Sequence, residues 1–235
     1  MISVCVATYN GEKYIKEQLL SILSQIGLND EVVVSDDHSN DSTIDIVKSL
    51  NDKRVKIIYN EGNRGYTSNF ENALKHAKGD YVFISDQDDI WSKYKVDVCM
   101  QYFKKYDFIV SNAFIVDGNG TLINDSFFEC RKPYKSFLGN IYKFGYLGCC
   151  MAFKKEVIRK AIPFPVNRKM CTHDNWLLLV GKMFYKVKIL DEQLIYYRRH
   201  SNNVSDGGFG NRTTLFFKMK YRLYLLYNLI KRILK

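Results

Sequence analysis

Over the first ninety residues, short continuous apolar runs alternate with segments of helical period, and the apolar runs end in polar residues. Ile2 to Ala7 is a β-type run closed by Thr8-Tyr9-Asn10-Gly11, a strand followed by a turn. Asn10 is placed to cap a helix whose core face is Ile15, Leu19, Ile22 and Ile26, spaced by four, three and four. Glu31 to Ser35 predicts a second strand, ending in Asp36-Asp37-His38-Ser39-Asn40-Asp41-Ser42-Thr43, with a helix through Ile44, Val47 and Leu50 behind it. Val55 to Tyr59 predicts a third strand and Asn63-Arg64-Gly65 a loop. Ser68 begins a helix through Phe70, Ala73, Leu74 and Ala77 that Gly79 stops. Tyr81 to Ile84 is then an interior strand, because it is apolar without a break.

Beyond Trp91 the pattern predicts a helix to about Lys105 and a strand over Asp107–Asn112. Asp117-Gly118-Asn119-Gly120 is the turn of a hairpin between Phe114–Val116 and Thr121–Ile123. Residues 125–145 are aromatic and without period, either a segment for acceptor specificity or a variable surface loop. Tyr146 to Phe153 reads as a buried strand in which Gly148 admits a ligand or a neighbouring backbone. A short helix over Lys154–Ala161 is broken by Pro163 and Pro165. Thr172 is placed to cap a helix with His173 and Asp174 in its first turn and Trp176, Leu177 and Val180 on its buried face. Tyr185–Leu190 and Gln193–Tyr197 predict a strand pair, followed by the basic loop Arg198-Arg199-His200-Ser201-Asn202-Asn203. A helix from Arg212 carries Met219, Leu223, Leu226, Ile230 and Ile233 as one apolar stripe opposite Lys and Arg. Gly207-Gly208-Phe209-Gly210 is the hinge before it.

Alternating strands and helices define an α/β fold, a mostly parallel sheet covered on both faces. Ligands in such sheets bind beyond the carboxyl ends of the strands. Three polar clusters, Thr8–Asn10, Asp36–Asp37 and Asp86–Asp89, fall on that one rim. Asp86, Asp88 and Asp89 place three carboxylates within four positions. Two carboxylates about 4 Å apart repel by roughly 4 kcal/mol at an effective dielectric near 20, which protonation, water or a cation must relieve. Mg²⁺ or Mn²⁺ on one or two carboxylates keeps positions open for substrate phosphates. The plainer alternative is that Asp88 and Asp89 open the next helix, where negative charge suits the dipole. The same choice applies to Asp174, dipole partner or general base facing the first cluster. The basic loop either meets a diphosphate and completes a metal shell or is simply solvated. Neither a P-loop nor a G-x-G-x-x-G follows the first strand, so phosphates would be held through a metal.

At 235 residues, 46% hydrophobic and 26% charged, the chain has the make-up of a globular domain with a full core. Its six cysteines lack C-x-x-C spacing, no secretory leader is visible, and no run of eighteen apolar residues occurs. Reduced thiols in a cytoplasmic protein are therefore expected. The net charge of +10 suggests nucleic acid until its distribution is considered. Residues 207–235 carry seven basic and no acidic residues, leaving +3 for the rest. A basic stripe interleaved with Leu and Ile fits anionic lipid on the inner face of a membrane better than nucleic acid. A helix packed on the domain or on a partner is the alternative.

Taken together, these motifs resemble those of family 2 glycosyltransferases with the GT-A (Rossmann-like) fold. Thr8-Tyr9-Asn10 resembles the first-strand motif, and Asp36 to Thr43 is similar to a D-D-x-S-x-D-x-T nucleoside site. Asp86-Gln87-Asp88-Asp89 matches the D-x-D metal motif, and His173-Asp174-Asn175-Trp176 resembles the acidic motif on the acceptor side. Tyr197 to Val204 resembles a late motif of rhamnosyltransferase-like members; Asn175 departs from the Trp that many of these carry after the Asp. The resemblance spans about residues 1–206. It implies a donor half over 1–112 and an acceptor half over 113–206; the basic amphipathic helix of 207–235 lies beyond it. Thr8, Tyr9, Asn10, Asp36, Asp37, Asp86 and Arg199 would then hold the nucleotide sugar. Asp88 and His200 would hold Mn²⁺ or Mg²⁺, Asp174 would be the base, and Gly148, His173 and Trp176 would lie on the acceptor side.

The implied reaction is inverting transfer of a sugar, L-rhamnose from dTDP-rhamnose by preference, to a hydroxyl of a growing lipid-linked cell-surface polysaccharide. A UDP-hexose donor and an inactive membrane-surface scaffold are the alternatives. A nucleotidyltransferase or pyrophosphatase needs a Gly- and Arg-rich loop after the first strand, which Thr8-Tyr9-Asn10-Gly11-Glu12 is not.

Overall fold

The computed structural model describes residues 1–200, 203 and 214–234. In chain order it forms β1 (Ile2–Thr8), α1 (Ile15–Leu23), β2 (Glu31–Asp36), α2 (Thr43–Ser49), β3 (Val55–Tyr59), α3 (Tyr66–His76), β4 (Tyr81–Asp86) and β5 (Ile90–Trp91). There follow α4 (Lys95–Tyr102), β6 (Phe108–Asp117), β7 (Leu122–Asn124), α5 (Phe127–Arg131), α6 (Phe137–Tyr142), a 3₁₀ turn (Gly148–Cys150) and β8 (Met151–Lys154). The chain closes with α7 (Lys155–Ala161), α8 (His173–Phe184), β9 (Val187–Arg199) and α9 (Leu215–Ile233).

One sheet runs β3-β2-β1-β4-β8-β6-β9-β5, with β7 on the side of β6. β3, β2, β1 and β4 are mutually parallel, and β6 and β9 are parallel to each other. The short β8 inserts antiparallel between β4 and β6. The apolar runs are the reason for this arrangement: Val4, Val6, Val32, Val34, Val82, Phe83 and Ile84 are wholly buried, each worth about 1.5–3 kcal/mol relative to exposure. The α1 stripe Ile15, Leu19 and Ile22 is buried against them, with Ile26 packing just beyond the helix end.

Several local expectations change. Asn10 does not cap α1, which starts at Ile15; its Oδ1 accepts from the Asn40 N–H at 3.0 Å instead, tying two rim loops together. α3 starts at Tyr66 rather than Ser68 and ends at His76. Gly79 lies past that end, where any Cβ would come within 2.6 Å of the Ser3 nitrogen, so it is the contact with β1 that requires glycine. Ile90–Trp91 pairs with β9, and the following helix covers only Lys95–Tyr102. The segment 125–145 holds two short helices, each with a serine N-cap, Ser126 and Ser136. Of the predicted Tyr146–Phe153 strand only Met151–Phe153 is strand, within β8, because the chain tightens into the 3₁₀ turn just before it. The predicted strand pair, Tyr185–Leu190 and Gln193–Tyr197, is one continuous strand, β9, whose register against β6 shifts around Asn112. The hairpin around Asp117–Gly120 forms, with Ile115 opposite Asn124. Thr172 holds the N-cap position of α8 without a side-chain capping bond. The expected boundary at 112/113 falls inside β6, so the residues on either side of it share one sheet. The hinge 207–210, with Ser201, Asn202, Val204 and Arg212, lies outside the described residues.

Candidate active site

The carboxyl end of β1 is flanked by two aspartates, Asp36 opposite Thr8 on β2 and Asp86 opposite Ala7 on β4. Asp36 is fully buried and its oxygens are occupied: Thr8 Oγ1 donates at 3.0 Å, and the Ser39 N–H and hydroxyl at 2.8 and 2.5 Å. Asp37 accepts from Asn60 Nδ2 and from the Gly65 N–H, both at 2.7 Å, which fixes the loop before α3. Tyr9 is half exposed on the rim, and its backbone exchanges two hydrogen bonds with the Gln87 side chain, at 2.9 and 3.0 Å. The loop after β1 is thereby tied to the acidic loop after β4.

That acidic loop is built differently. Burial, and then the charges of Asp89 and Asp88, push the Asp86 carboxyl well above the usual range, with Asp174 adding to the effect. Burial and the Asp88 charge likewise raise Asp89. Asp89 Oδ1 accepts from the Arg198 N–H at 3.0 Å, while its buried Oδ2 has no partner. Asp88 Oδ2 meets His200 Nε2 at 2.9 Å and Asn203 Nδ2 at 3.3 Å. Ligand atoms of Asp86, Asp89 and Cys149 lie within 4.8 Å of one another. Raised carboxyls and an unpartnered buried oxygen are what a hard cation would relieve, and the oxygen-rich donor set suits Mg²⁺ or Mn²⁺.

Arg198 fastens this loop to the rest of the fold. It is buried and donates from Nε to the Asp88 carbonyl at 2.8 Å, from one terminal nitrogen to the Gly118 carbonyl at 3.1 Å, and from the other to Glu17 at 2.6 Å. Its guanidinium stacks over the Tyr14 ring at 4.7 Å. Its nitrogens are engaged within the protein, so of the two arginines in the basic doublet it is the structural one. Arg199 follows at the end of β9, opposite Asp117, with one nitrogen 3.4 Å from the Tyr197 hydroxyl.

On the other side, Asp174 opens α8, half-buried, with Oδ1 accepting from the Asn175 N–H at 2.7 Å. Its charge is felt by Asp86 and by the Tyr66 hydroxyl, which places it beside the acidic loop. His173 is buried, stacked on Phe70 at 4.1 Å and edge-on to Tyr66 at 5.7 Å, and neither ring nitrogen has a partner. Burial lowers its pKa against the pull of Asp174, keeping it neutral. A Cβ on Gly148 would come within 2.5 Å of His173 Nε2, so the glycine is there to let the imidazole in. Trp176 is fully buried and donates to the Ala161 carbonyl at 2.9 Å; it supports α8 from the core rather than facing a ligand.

The structure therefore brings Thr8, Asp86, Asp88, His200, Gly148, His173 and Asp174 to one rim, and sets Trp176 apart. Gln87, Cys149, Arg198 and Tyr66 join them without having been singled out by their sequence context. The Arg198-Arg199 doublet was a signal, but only the pairing of β9 tells the buried arginine from its neighbour.

The rim thus sets an acidic loop at the end of β4 beside a carboxylate at the start of α8. The family model for glycosyl transferase family 2 matches residues 3–162, and the chain belongs to that family. The dTDP-rhamnosyl transferase RfbG of Shigella flexneri is 30% identical, over 92% of this chain and 77% of its own length. The UDP-Glc:alpha-D-GlcNAc-diphosphoundecaprenol beta-1,3-glucosyltransferase WfaP of Escherichia coli is also 30% identical, over 89% and 81%. Among solved structures, S. aureus TarS 1-349 in complex with UDP-GlcNAc superposes with a TM-score of 0.73 at 23% identity, covering 97% of this chain and 66% of that one. The mannosyltransferase PcManGT of Pyrobaculum calidifontis, in complex with GDP-Man and Mn²⁺, gives 0.59 at 20% identity, over 82% and 54%. The chain thus spans about two thirds of the length of that TarS chain and of some of its curated relatives.

Proposed function

We propose that this chain is an inverting, cation-dependent glycosyltransferase that builds a cell-surface polysaccharide from a nucleotide sugar. The observation that carries the reading is the pairing, on one rim, of an unrelieved carboxylate cluster at Asp86–Asp89 with the carboxylate of Asp174. Thr8, Tyr9, Asn10 and Asp37 border the nucleoside, and Asp36, whose oxygens are occupied, positions Thr8 and Ser39. Asp86 meets the ribose, and Arg199 stands at the diphosphate side. Asp88 and His200 would hold Mn²⁺ or Mg²⁺, with Asp89 adjacent. A cation bound there would neutralise the departing diphosphate, so that no protein acid is required. Asp174 takes the proton of the acceptor hydroxyl as that oxygen attacks the anomeric carbon from the face opposite the diphosphate. The new bond to the acceptor forms as the bond to the diphosphate breaks, inverting the centre in one step. His173, Gly148 and Tyr66 border the acceptor side.

The donor is dTDP-rhamnose by preference, supported by the likeness to RfbG over most of the chain. A UDP-hexose is the second reading, supported by the equal likeness to WfaP. The acceptor is lipid-linked, and the enzyme works on the inner face of the cell membrane. An inactive scaffold would have no need of a buried, unpartnered Asp89 oxygen beside two further carboxylates. The test is release of nucleoside diphosphate from a panel of nucleotide sugars, with Mn²⁺, with Mg²⁺ and with EDTA. EDTA-sensitive release of dTDP supports the preferred donor, and release of UDP replaces it. In the same assay Asp174→Asn is expected to lower transfer by about 10²–10⁴-fold while calorimetry shows nucleotide binding intact. Transfer by that variant at the wild-type rate would remove Asp174 from the mechanism.

A further inference from the structure

Helix α9 has two apolar faces, and only one of them is covered by the protein. Its inward face is docked: Leu225 and Leu229 are fully buried, and the Tyr224 hydroxyl accepts from the Asn167 N–H at 2.9 Å. Arg222 donates to the Tyr142 carbonyl at 2.8 Å, and Arg232 lies over the ring of Trp176 at 5.7 Å. Further along the same face, the Tyr221 hydroxyl meets Asn175 Nδ2, one residue from Asp174. The helix is therefore held against the start of α8 and does not hang from the domain as a separate tail.

The outward face is apolar along its length. Phe216, Met219, Leu223, Tyr227, Ile230 and Ile233 are each more than half exposed. At about 100° per residue they fall within an arc of roughly 120°, with Phe216, Leu223 and Tyr227 farthest from Leu225 and Leu229 and Ile233 at the edge nearest them. Lys220 and Lys231 border one edge of the arc and Arg222 the other, and Leu215–Ile233 contains no acidic residue. A second copy would oppose these cations to their own kind with no acid to pair them. A surface of phosphate headgroups over an apolar interior matches both features at once.

We propose that the outward face of α9 docks on an anionic lipid bilayer, and that its inward contact with Asn175 holds the acceptor side of the rim at the membrane surface. The acceptor is then a glycan carried on a lipid, reached without leaving the bilayer. The second half of this inference rests on the transferase reading above; the first does not. The described residues contain no helix long and apolar enough to cross a membrane, so the contact is with the surface.

The experiment is flotation of the full chain with vesicles of phosphatidylglycerol and phosphatidylcholine, and of phosphatidylcholine alone. Co-flotation is expected only with the anionic vesicles and should weaken with salt. Leu223→Glu with Ile230→Glu, both on exposed positions, should stay in solution with an unchanged melting temperature. Lys220→Gln with Lys231→Gln should lose binding several-fold. Equal binding to both vesicles, or to neither, overturns the docking. So does a dimer in light scattering that the Leu223→Glu variant dissociates, since a second copy then covers the face. With a lipid-linked acceptor extract in the same vesicles, the Leu223→Glu, Ile230→Glu variant should transfer at least tenfold more slowly while its nucleotide binding by calorimetry is kept. Unchanged transfer would reject the lipid-borne acceptor. A wild-type chain that floats but turns over no donor would reject the transferase reading and leave the docking standing.

Discussion

Strands β2 and β4 lie on either side of β1, have six residues each, and both end in aspartate, yet their carboxylates are in opposite condition. On β2, Asp36 is wholly buried and fully hydrogen-bonded by Thr8 and Ser39. At the other end of the same strand Glu31 accepts from Ser3, Lys56 and the Lys78 N–H. Burial alone would raise Glu31, but those three donors outweigh it and hold it below the usual carboxylate range. After β4 the carboxylates face one another instead, Asp86 and Asp89 are raised, and one buried oxygen of Asp89 lacks any partner. Buried polar groups are normally satisfied, and leaving one unmade costs about 1–3 kcal/mol. The β2 acids are structural anions complete in the folded chain. The β4 acids, by contrast, keep a buried oxygen of Asp89 unpartnered in the folded chain.

Breaking the second set should show in function and not in folding. Asp88→Asn is expected to reduce cation-dependent donor turnover on the order of 10³-fold with little change in melting temperature. A loss of folding cooperativity instead would place Asp88 with the structural acids. Next in size is Arg198→Lys, which removes the fork that joins the Asp88 carbonyl, Gly118 and Glu17. Its Mn²⁺ affinity, read by titration in the presence of nucleoside diphosphate, should weaken by about 10–100-fold, as for other residues that orient metal ligands. Asp36→Asn tests the first set: urea unfolding should lose about 1–3 kcal/mol, while Mn²⁺ affinity stays as in the wild type. The smallest effect belongs to Glu31→Gln. Because the folded pKa of Glu31 is lowered, its contribution is complete above the unfolded value near 4.3 and disappears as pH falls through the folded one. The wild-type urea midpoint should therefore drop on acidification below about pH 4.3, and the variant's should drop less. Parallel curves would mean that Glu31 keeps its ordinary pKa.

The sequence announces the rim clearly because its signals are local. Each of β1, β2 and β4 is an apolar run with polar residues at its end, so Thr8, Asp36 and Asp86 could be aligned before any pairing was known. What failed was long-range. Leu190-Asp191-Glu192-Gln193 looks like a turn, but β9 passes straight through it by shifting register against β6, which no local pattern encodes. Tyr146–Phe153 is apolar enough for a strand, yet Gly148–Cys150 must tighten where His173 packs against it. Trp176 shares a motif with Asp174 but points the other way around α8, into the core. In α9 the predicted stripe of Met219, Leu223, Leu226, Ile230 and Ile233 is the exposed one except at Leu226, which is partly buried against the core. The inward face, Tyr221, Leu225 and Leu229, is interrupted by polar residues and becomes legible only against α8.

The unbroken sheet has a kinematic consequence. Domains that close on their ligands by hinge or shear need a boundary that few bonds cross, where a handful of backbone angles can absorb the rotation. Here the step from β4 to β6 is spanned by β8, hydrogen-bonded to both, and β6 runs on unbroken through residues 112 and 113. The sheet itself offers no such boundary, so any closing motion falls to the loops and helix ends at its rim.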